Sequence, residues 1–317
     1  MTTKFFQPDP TLQTALNQAL DITWARFPDL AQNQIAVTWL AYSPPFTINT
    51  GGALSPEEFW KQRPKGASYR SVECIYPASV IKLFYLVAIH EWLERGMTQT
   101  SLELERAVRD MIVDSSNDAT GYVMDVLTGT TSGPELPAGP FETWKHQRNL
   151  VNRYLQSLHW PELATINANQ KTWCDGPYGR ERAFLGDAYE NRNMLTTEAS
   201  ARLLHSIVGG VAVNAQRSKT MMDLMKRDLD PKVLTADPEN QVTGFLGAGV
   251  PVGTQVWSKA GLTSKVRHDA AYIEADGAHP YLLVVFTEGV EHSNNEEILP
   301  FVSAQILQAM QTQNSGA

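Results

Sequence analysis

Cysteine is nearly absent. Two residues in 317, Cys74 and Cys174, are too few for the disulfide framework of a small secreted domain, and both are expected to be buried free thiols. No uninterrupted apolar run is long enough to cross a bilayer, and the amino terminus, MTTKFFQPDP, lacks the apolar core and small-residue cleavage site of a secretory signal. The sequence as it stands therefore points to a cytoplasmic protein, or to a periplasmic one if a leader has been removed. Positive charge is also short, with 26 Lys and Arg against 34 Asp and Glu. With no local basic patch, this argues against a nucleic-acid partner. The aromatic residues are spread through apolar stretches rather than interleaved with Lys and Arg, which assigns them to core packing. Histidines such as His90, His205, His268 and His292 show no paired ligand spacing, so no metal site is expected. No phosphate-cradling glycine loop or dinucleotide fingerprint occurs, so no cofactor is expected either. Internal repeats and low-complexity tracts are missing.

What is present is an ordinary globular composition, 43% hydrophobic and 19% charged, in a chain long enough to bury a sizeable core. From Asp9 to about Phe27, apolar residues recur at mostly helical spacing behind an Asp-Pro start signal. Gln34 to Tyr42 reads as a strand, stopped by Ser43, Pro44 and Pro45. A very apolar helix is expected over Ser79 to Arg95, ending near Gly96. Further helices are expected at Leu102 to Ile112, Asp118 to Leu127, Phe141 to Leu158 and Thr197 to Val208. Three β-rich runs follow, at Gln255 to Lys259, Asp269 to Ile273 and Tyr281 to Thr287, the last two separated by Asp276 and Gly277. A closing helix spans Asn294 to Met310. This order predicts an α+β fold, in which an antiparallel sheet built from both chain ends carries flanking terminal helices and a mainly helical lobe is inserted between them. The expected division is 1–73 with 251–317 for the sheet lobe and 74–250 for the helical lobe.

Three short motifs carry chemistry. Ser79-Val80-Ile81-Lys82 is the only Ser-x-x-Lys in the chain, although a two-position motif is expected by chance about once in a protein this size. Its setting adds weight. A serine at a helix start meets free backbone N–H groups and a dipole that favour a developing oxyanion. One turn on, Lys82 shares its face, and burial would lower its pKa until the amine can take a proton. The plain alternative is a helix cap with a solvent-seeking lysine. Asp114-Ser115-Ser116-Asn117-Asp118 offers hydroxyl, amide and carboxylate groups on a short loop, which capping alone would also explain. Trp257-Ser258-Lys259-Ala260-Gly261 puts a lysine on a strand before a glycine that lets a ligand approach the backbone, or is simply a charged edge beside a bulge.

Taken together and in this order, the three motifs resemble those of the serine β-lactamases and penicillin-binding proteins, and most closely the class A enzymes: Ser-x-x-Lys, Ser-x-Asn, Lys-Thr/Ser-Gly. Asn193-Met194-Leu195-Thr196-Thr197 is similar to the exit from that family's omega loop. The resemblance implies a serine hydrolase acting on a β-lactam or acyl-peptide, with no cofactor. Ser79 would form an acyl-enzyme. Lys82 would serve as base or proton relay, and Ser115 would pass the proton to the leaving nitrogen. Asn117 would bind the substrate's amide side chain and Lys259 would attract its carboxylate. Gly261 would allow close approach, and the N–H groups of Ser79 and Leu262 would form the oxyanion hole, a contribution of about 3 kcal/mol per donor.

Two departures stand out. The third motif reads Lys-Ala-Gly, so a hydroxyl is missing at Ala260, for which Thr263 or Ser264 could substitute. The Glu-x-x-Leu-Asn string that positions the hydrolytic water in class A enzymes is absent. Counting back from Thr196 nominates Glu181, with Glu190 as the other carboxylate in reach. The arginines flanking Glu181 equally suit a solvated ion pair. Arg267 and Asp269 read as a strand-end ion pair. Acylation is thus better supported than rapid turnover. A protein that is acylated and stays so, or a peptidase or esterase for another acyl group, remains in play. A non-catalytic helical interaction protein would have to treat the three ordered motifs as coincidence.

Overall fold

Asp9 accepts hydrogen bonds from the backbone N–H groups of Thr11 and Leu12 at 2.9 and 3.0 Å, which starts the first helix where the Asp-Pro pair predicts. The structure is a computed structural model that describes residues 4–42 and 52–315. In chain order its elements begin with β1 (Gln7–Pro8), α1 (Pro10–Arg26), β2 (Ile35–Ala41), α2 (Pro56–Lys61) and β3 (Lys65–Tyr69). Helices α3 (Lys82–Glu94), α4 (Leu102–Ile112), α5 (Asn117–Thr128), α6 (Ala138–Arg148), α7 (Leu150–Ser157) and α8 (Gly179–Leu185) follow. The chain continues with α9 (Thr197–Val208), α10 (Ala215–Met225), β4 (Lys226–Arg227), α11 (Pro231–Ala236) and β5 (Gln255–Thr263). It closes with β6 (Val266–Glu274), β7 (Tyr281–Glu288), α12 (Val290–Asn294) and α13 (Ile298–Ser315).

The α+β fold with its sheet drawn from both chain ends is as expected. Residues 43 to 45, the expected stop after the first strand, lie outside the described residues. Among the described residues the seven strands form one sheet in the order β1-β3-β2-β7-β6-β5-β4, antiparallel except for the β1–β3 pair. The short strands β1, β3 and β4 carry too little period-2 pattern to announce themselves. β5 runs past Lys259 to Thr263, pairing through the whole third motif with β6. Gly277, at φ 75°, makes the expected turn between β6 and β7. The expected single helix 141–158 is two, divided at Asn149.

Two compact units emerge. One comprises 1–73 and 196–317 and the other 74–195, so the helical unit ends well short of the 250 expected. The reason lies in α9. All of its residues but Arg202 are buried, and Thr197 shares a hydrogen bond with Thr38 of β2 at 2.9 Å. Periodicity reports that α9 is a helix but not which element it covers. In the sheet unit, α1 and α13 share one apolar core with the inward residues of the sheet, including Val37, Trp39, Leu283 and Val285, while α9 packs on β2, β6 and β7. His205 of α9 is absorbed there, sharing a 2.9 Å hydrogen bond with the Tyr42 hydroxyl, with its pKa pushed down to about 3 by burial and by Arg202. In the helical unit, α3 is nearly encased, with Lys82 through His90 and Trp92 all buried. Among the described residues no helix is long and apolar enough to cross a membrane.

Candidate active site

The nucleophile candidate lies where the chain changes course. Ala78 has φ 46°, in the left-handed region, a strained conformation for a residue with a Cβ and of the kind that collects at functional sites. A 3-10 turn over Ala78–Ile81 then feeds α3, and the Lys82 N–H donates to the Ser79 carbonyl. Ser79 is half-buried, between the buried Ala78 and Val80.

Lys82 is fully buried. Its Nζ donates to the Ser115 carbonyl, to Ser115 Oγ at 3.2 Å and to Asn117 Oδ1 at 2.9 Å. These acceptors are neutral, so desolvation dominates and the ammonium pKa falls to about 7, with Cys174 pulling weakly the other way. The loop that presents them uses both readings of its sequence. Ser116 caps α5 by accepting from the Ala119 N–H at 3.1 Å. Ser115 takes φ 55° and, together with Asn117, meets Lys82 instead.

Cys174 is the member that sequence reasoning missed. Asn117 Nδ2 donates to its sulfur at 3.3 Å. A single thiol distant in sequence carries no pattern that could have placed it here. Both cysteines are free, as expected, but exposed rather than buried. Each stands on an irregular segment, where packing is thinner than on a core helix.

Glu181 occupies a different cluster. It is fully buried and pairs with Arg148 Nη2 at 2.6 Å, with Lys171 Nζ 3.8 Å away. Ser132 Oγ donates to it at 2.9 Å. Asp125 takes Lys171 at 2.8 Å and Arg148 at 3.6 Å. The ion pair the sequence suggested exists, but it is buried and made with Arg148 rather than with the flanking arginines, because α8 turns that carboxylate inward. Among the described residues, Glu181 shares no partner with Lys82. Glu190 Oε2 accepts from the Ala188 N–H at 3.0 Å, tightening an exposed turn.

In the sheet unit, Lys259 is fully buried on β5 and donates to Gln241 Oε1 and, at 2.8 Å, to the Ala260 carbonyl. Ala260 belongs to the apolar core, so the hydroxyl missing from the third motif is replaced by core packing. Gly261 is buried beside it and Leu262 is 48% exposed. Thr263 and Ser264 close the strand end. Among the described residues the expected Arg267–Asp269 pair is replaced by other partners. Arg267 reaches Glu296 at 3.6 Å and the Ser293 carbonyl at 2.9 Å. Asp269 accepts from the Leu246 N–H at 3.1 Å, and burial pushes its carboxyl up to about 7.

A half-buried serine at the start of an apolar helix, one turn before a desolvated lysine held by a Ser-x-Asn loop, is the arrangement that the family resemblance leads one to expect. Comparison with known proteins agrees. A family model described as the β-lactamase enzyme family matches residues 93–310, more than half of the chain, and the protein belongs to that family. The matched span holds Ser115, Asn117, Glu181 and Lys259 and begins beyond Ser79 and Lys82. No curated protein matches by sequence. Among solved structures, a β-lactamase from Sphaerobacter thermophilus is 16% identical with TM-score 0.62, over 94% of this chain and 98% of its own. PBP-A is likewise 16% identical with TM-score 0.62, over 97% and 98%. A β-lactamase from Burkholderia vietnamiensis is 15% identical with TM-score 0.61, over 93% and 96%. At such identities the likeness establishes the fold.

Proposed function

We propose that this protein is a serine hydrolase that opens a β-lactam or a related amide or ester through an acyl-enzyme at Ser79. The observation that carries this reading is the state of Lys82. It is buried, hydrogen-bonded to neutral acceptors alone and poised near pH 7, so an appreciable share is neutral amine at physiological pH. Neutral Lys82 takes the Ser79 hydroxyl proton as Oγ attacks the substrate carbonyl. The proton then reaches the leaving nitrogen or oxygen through Ser115, whose Oγ lies 3.2 Å from Nζ, and the scissile bond breaks to leave a Ser79 ester. Asn117 fixes Lys82 and offers its amide to the substrate. Lys259, Gly261 and Leu262 keep the roles that the family resemblance gives them. A PBP-A variant solved as an acyl-enzyme with penicillin G is a precedent for this intermediate in the fold.

A second reading concerns turnover. The carboxylate nominated to drive deacylation, Glu181, is fully buried with its Oε1 held by Arg148 and Ser132, which supports a long-lived acyl-enzyme of the penicillin-binding type. Intact-mass spectrometry after incubation with a penicillin tests both readings. A stable adduct of one penicillin mass, lost in Ser79→Ala, supports slow deacylation. No adduct but steady ring opening of a chromogenic cephalosporin supports a true β-lactamase. Neither signal with any β-lactam or acyl ester would overturn acyl transfer at Ser79.

A further inference from the structure

Within the helical unit a cleft of about 460 Å³ runs between α5 and the segment 171–178. It is continuous with the site above, because Asn117 and Cys174 belong to both. Its walls are aromatic and acidic: Tyr122, Trp173 and Tyr178 with Asp118 and Asp175. Tyr122 and Tyr178 are 42% and 70% exposed, so both are open to a ligand in the cleft.

The charges on this cleft do not cancel. Lys171 and Asp125, also on its wall, are paired at 2.8 Å and belong with Arg148 and Glu181 to a cluster of two cations and two anions. Asp118 and Asp175 are exposed and join no ion pair among the described residues, so the cleft keeps a net charge of two negatives. Lys171 Nζ already stands 5.9 Å from the centre of the Trp173 ring, but the faces of Tyr122 and Tyr178 beside uncompensated carboxylates favour a further cation, through the ring quadrupole and through Coulomb attraction focused in a concave wall. The Thr172 hydroxyl and the Trp173 indole N–H lie buried in the wall with no hydrogen-bond partner among the described residues.

We infer that this cleft is a specificity subsite for a cationic substituent, an ammonium group carried on the acyl portion of the substrate. This rests on acyl transfer at Ser79. The favoured donor is therefore an acyl chain or peptide ending in a free amine rather than its neutral or anionic counterpart.

The test uses two matched acyl-D-alanyl-D-lactate esters, one with an ω-aminoalkanoyl chain and the other with that amine acetylated. The parent protein should process the amine form with a kcat/KM about tenfold higher, a preference that shrinks as salt is raised. The double variant Asp118→Asn, Asp175→Asn should lose the preference while handling the acetylated ester as before. Binding of both esters to Ser79→Ala, measured by calorimetry, reads the cleft without chemistry and should show a similar ratio. Equal processing of both esters by the parent and equal binding to Ser79→Ala would overturn the subsite and leave acyl transfer standing. Preferential binding of the amine form to Ser79→Ala, with no ester or penicillin ever acylating the parent, would uphold the cation site and overturn acyl transfer.

Discussion

The helical unit buries two lysines in opposite ways. Lys82 is surrounded by a carbonyl, a hydroxyl and an amide oxygen, and with no carboxylate among its partners its pKa falls to about 7. Lys171, nearly as buried, has Asp125 at 2.8 Å and Glu181 at 3.8 Å. Counter-charge decides what burial does to an amine. Supplied with carboxylates, a lysine joins an ionic tether that binds α5, α6, α8 and the 171 segment. Denied them, it is pushed toward the neutral base that a serine nucleophile needs.

The sharpest way to break this comparison is to remove one cation from each setting, Lys82 itself and Arg148 from the cluster that holds Lys171. Lys82→Met should slow acylation of Ser79 by about a thousandfold, measured by stopped-flow with a penicillin. It should also raise stability at pH 7 by on the order of 3 kcal/mol, because the desolvation cost disappears with the amine. Arg148→Met should do the reverse, lowering stability by about 3–5 kcal/mol in urea unfolding because Glu181 is left buried with only the Ser132 hydroxyl and the more distant Lys171. Acylation by the folded fraction should change little.

Glu181→Gln sharpens the same contrast. A loss of about 2 kcal/mol is expected, with the rate of acyl-enzyme hydrolysis within about threefold of the parent. An unchanged urea midpoint together with a hydrolysis rate down tenfold or more would return Glu181 to the role of general base. Between about pH 7 and 10 the pH dependence is dominated by Lys82, because Asp269 and His205 complete their titrations at or below about 7. The folded pKa of Lys82 lies below its ordinary 10.5, so between about pH 7 and 10.5 the unfolded chain holds a proton that the folded chain has released, and stability rises with pH across that window. Acylation should rise with pH up to about 7 and then level off. Both trends should vanish in Lys82→Met, as paired urea and stopped-flow series would show. The smallest effect is expected for Cys174→Ser, which keeps an acceptor for Asn117 and should alter the acylation rate less than about threefold.

How far the sequence could be read varied with the physics of each feature. The long elements α1, α3, α4 and α9 declare themselves because an apolar stripe or an all-apolar helix persists over several turns. The three motifs were legible because each is local, and their order could be compared with a known family. Glu181 shows where local reading stops. Its neighbours Arg180 and Arg182 suggested a solvated pair, yet the partner that matters is Arg148, 33 residues away. Cys174 and the aromatic cleft had no sequence signal, since each depends on a fold that sets segments from different parts of the chain side by side.

The sequence by itself determined the order and type of the main elements, the α+β class and the identity of the nucleophile, lysine and Ser-x-Asn candidates, because hydrophobic period and motif spacing are properties of neighbouring residues. Only the tertiary structure decided that the helical unit closes at Leu195, that Glu181 is a buried tether and that Ala260 is core. It likewise decided that Lys82 has lost its counter-charge while Lys171 has kept one. Burial and pairing are set by what the chain brings near from far away, and the electrostatic state of a buried amine depends on little else.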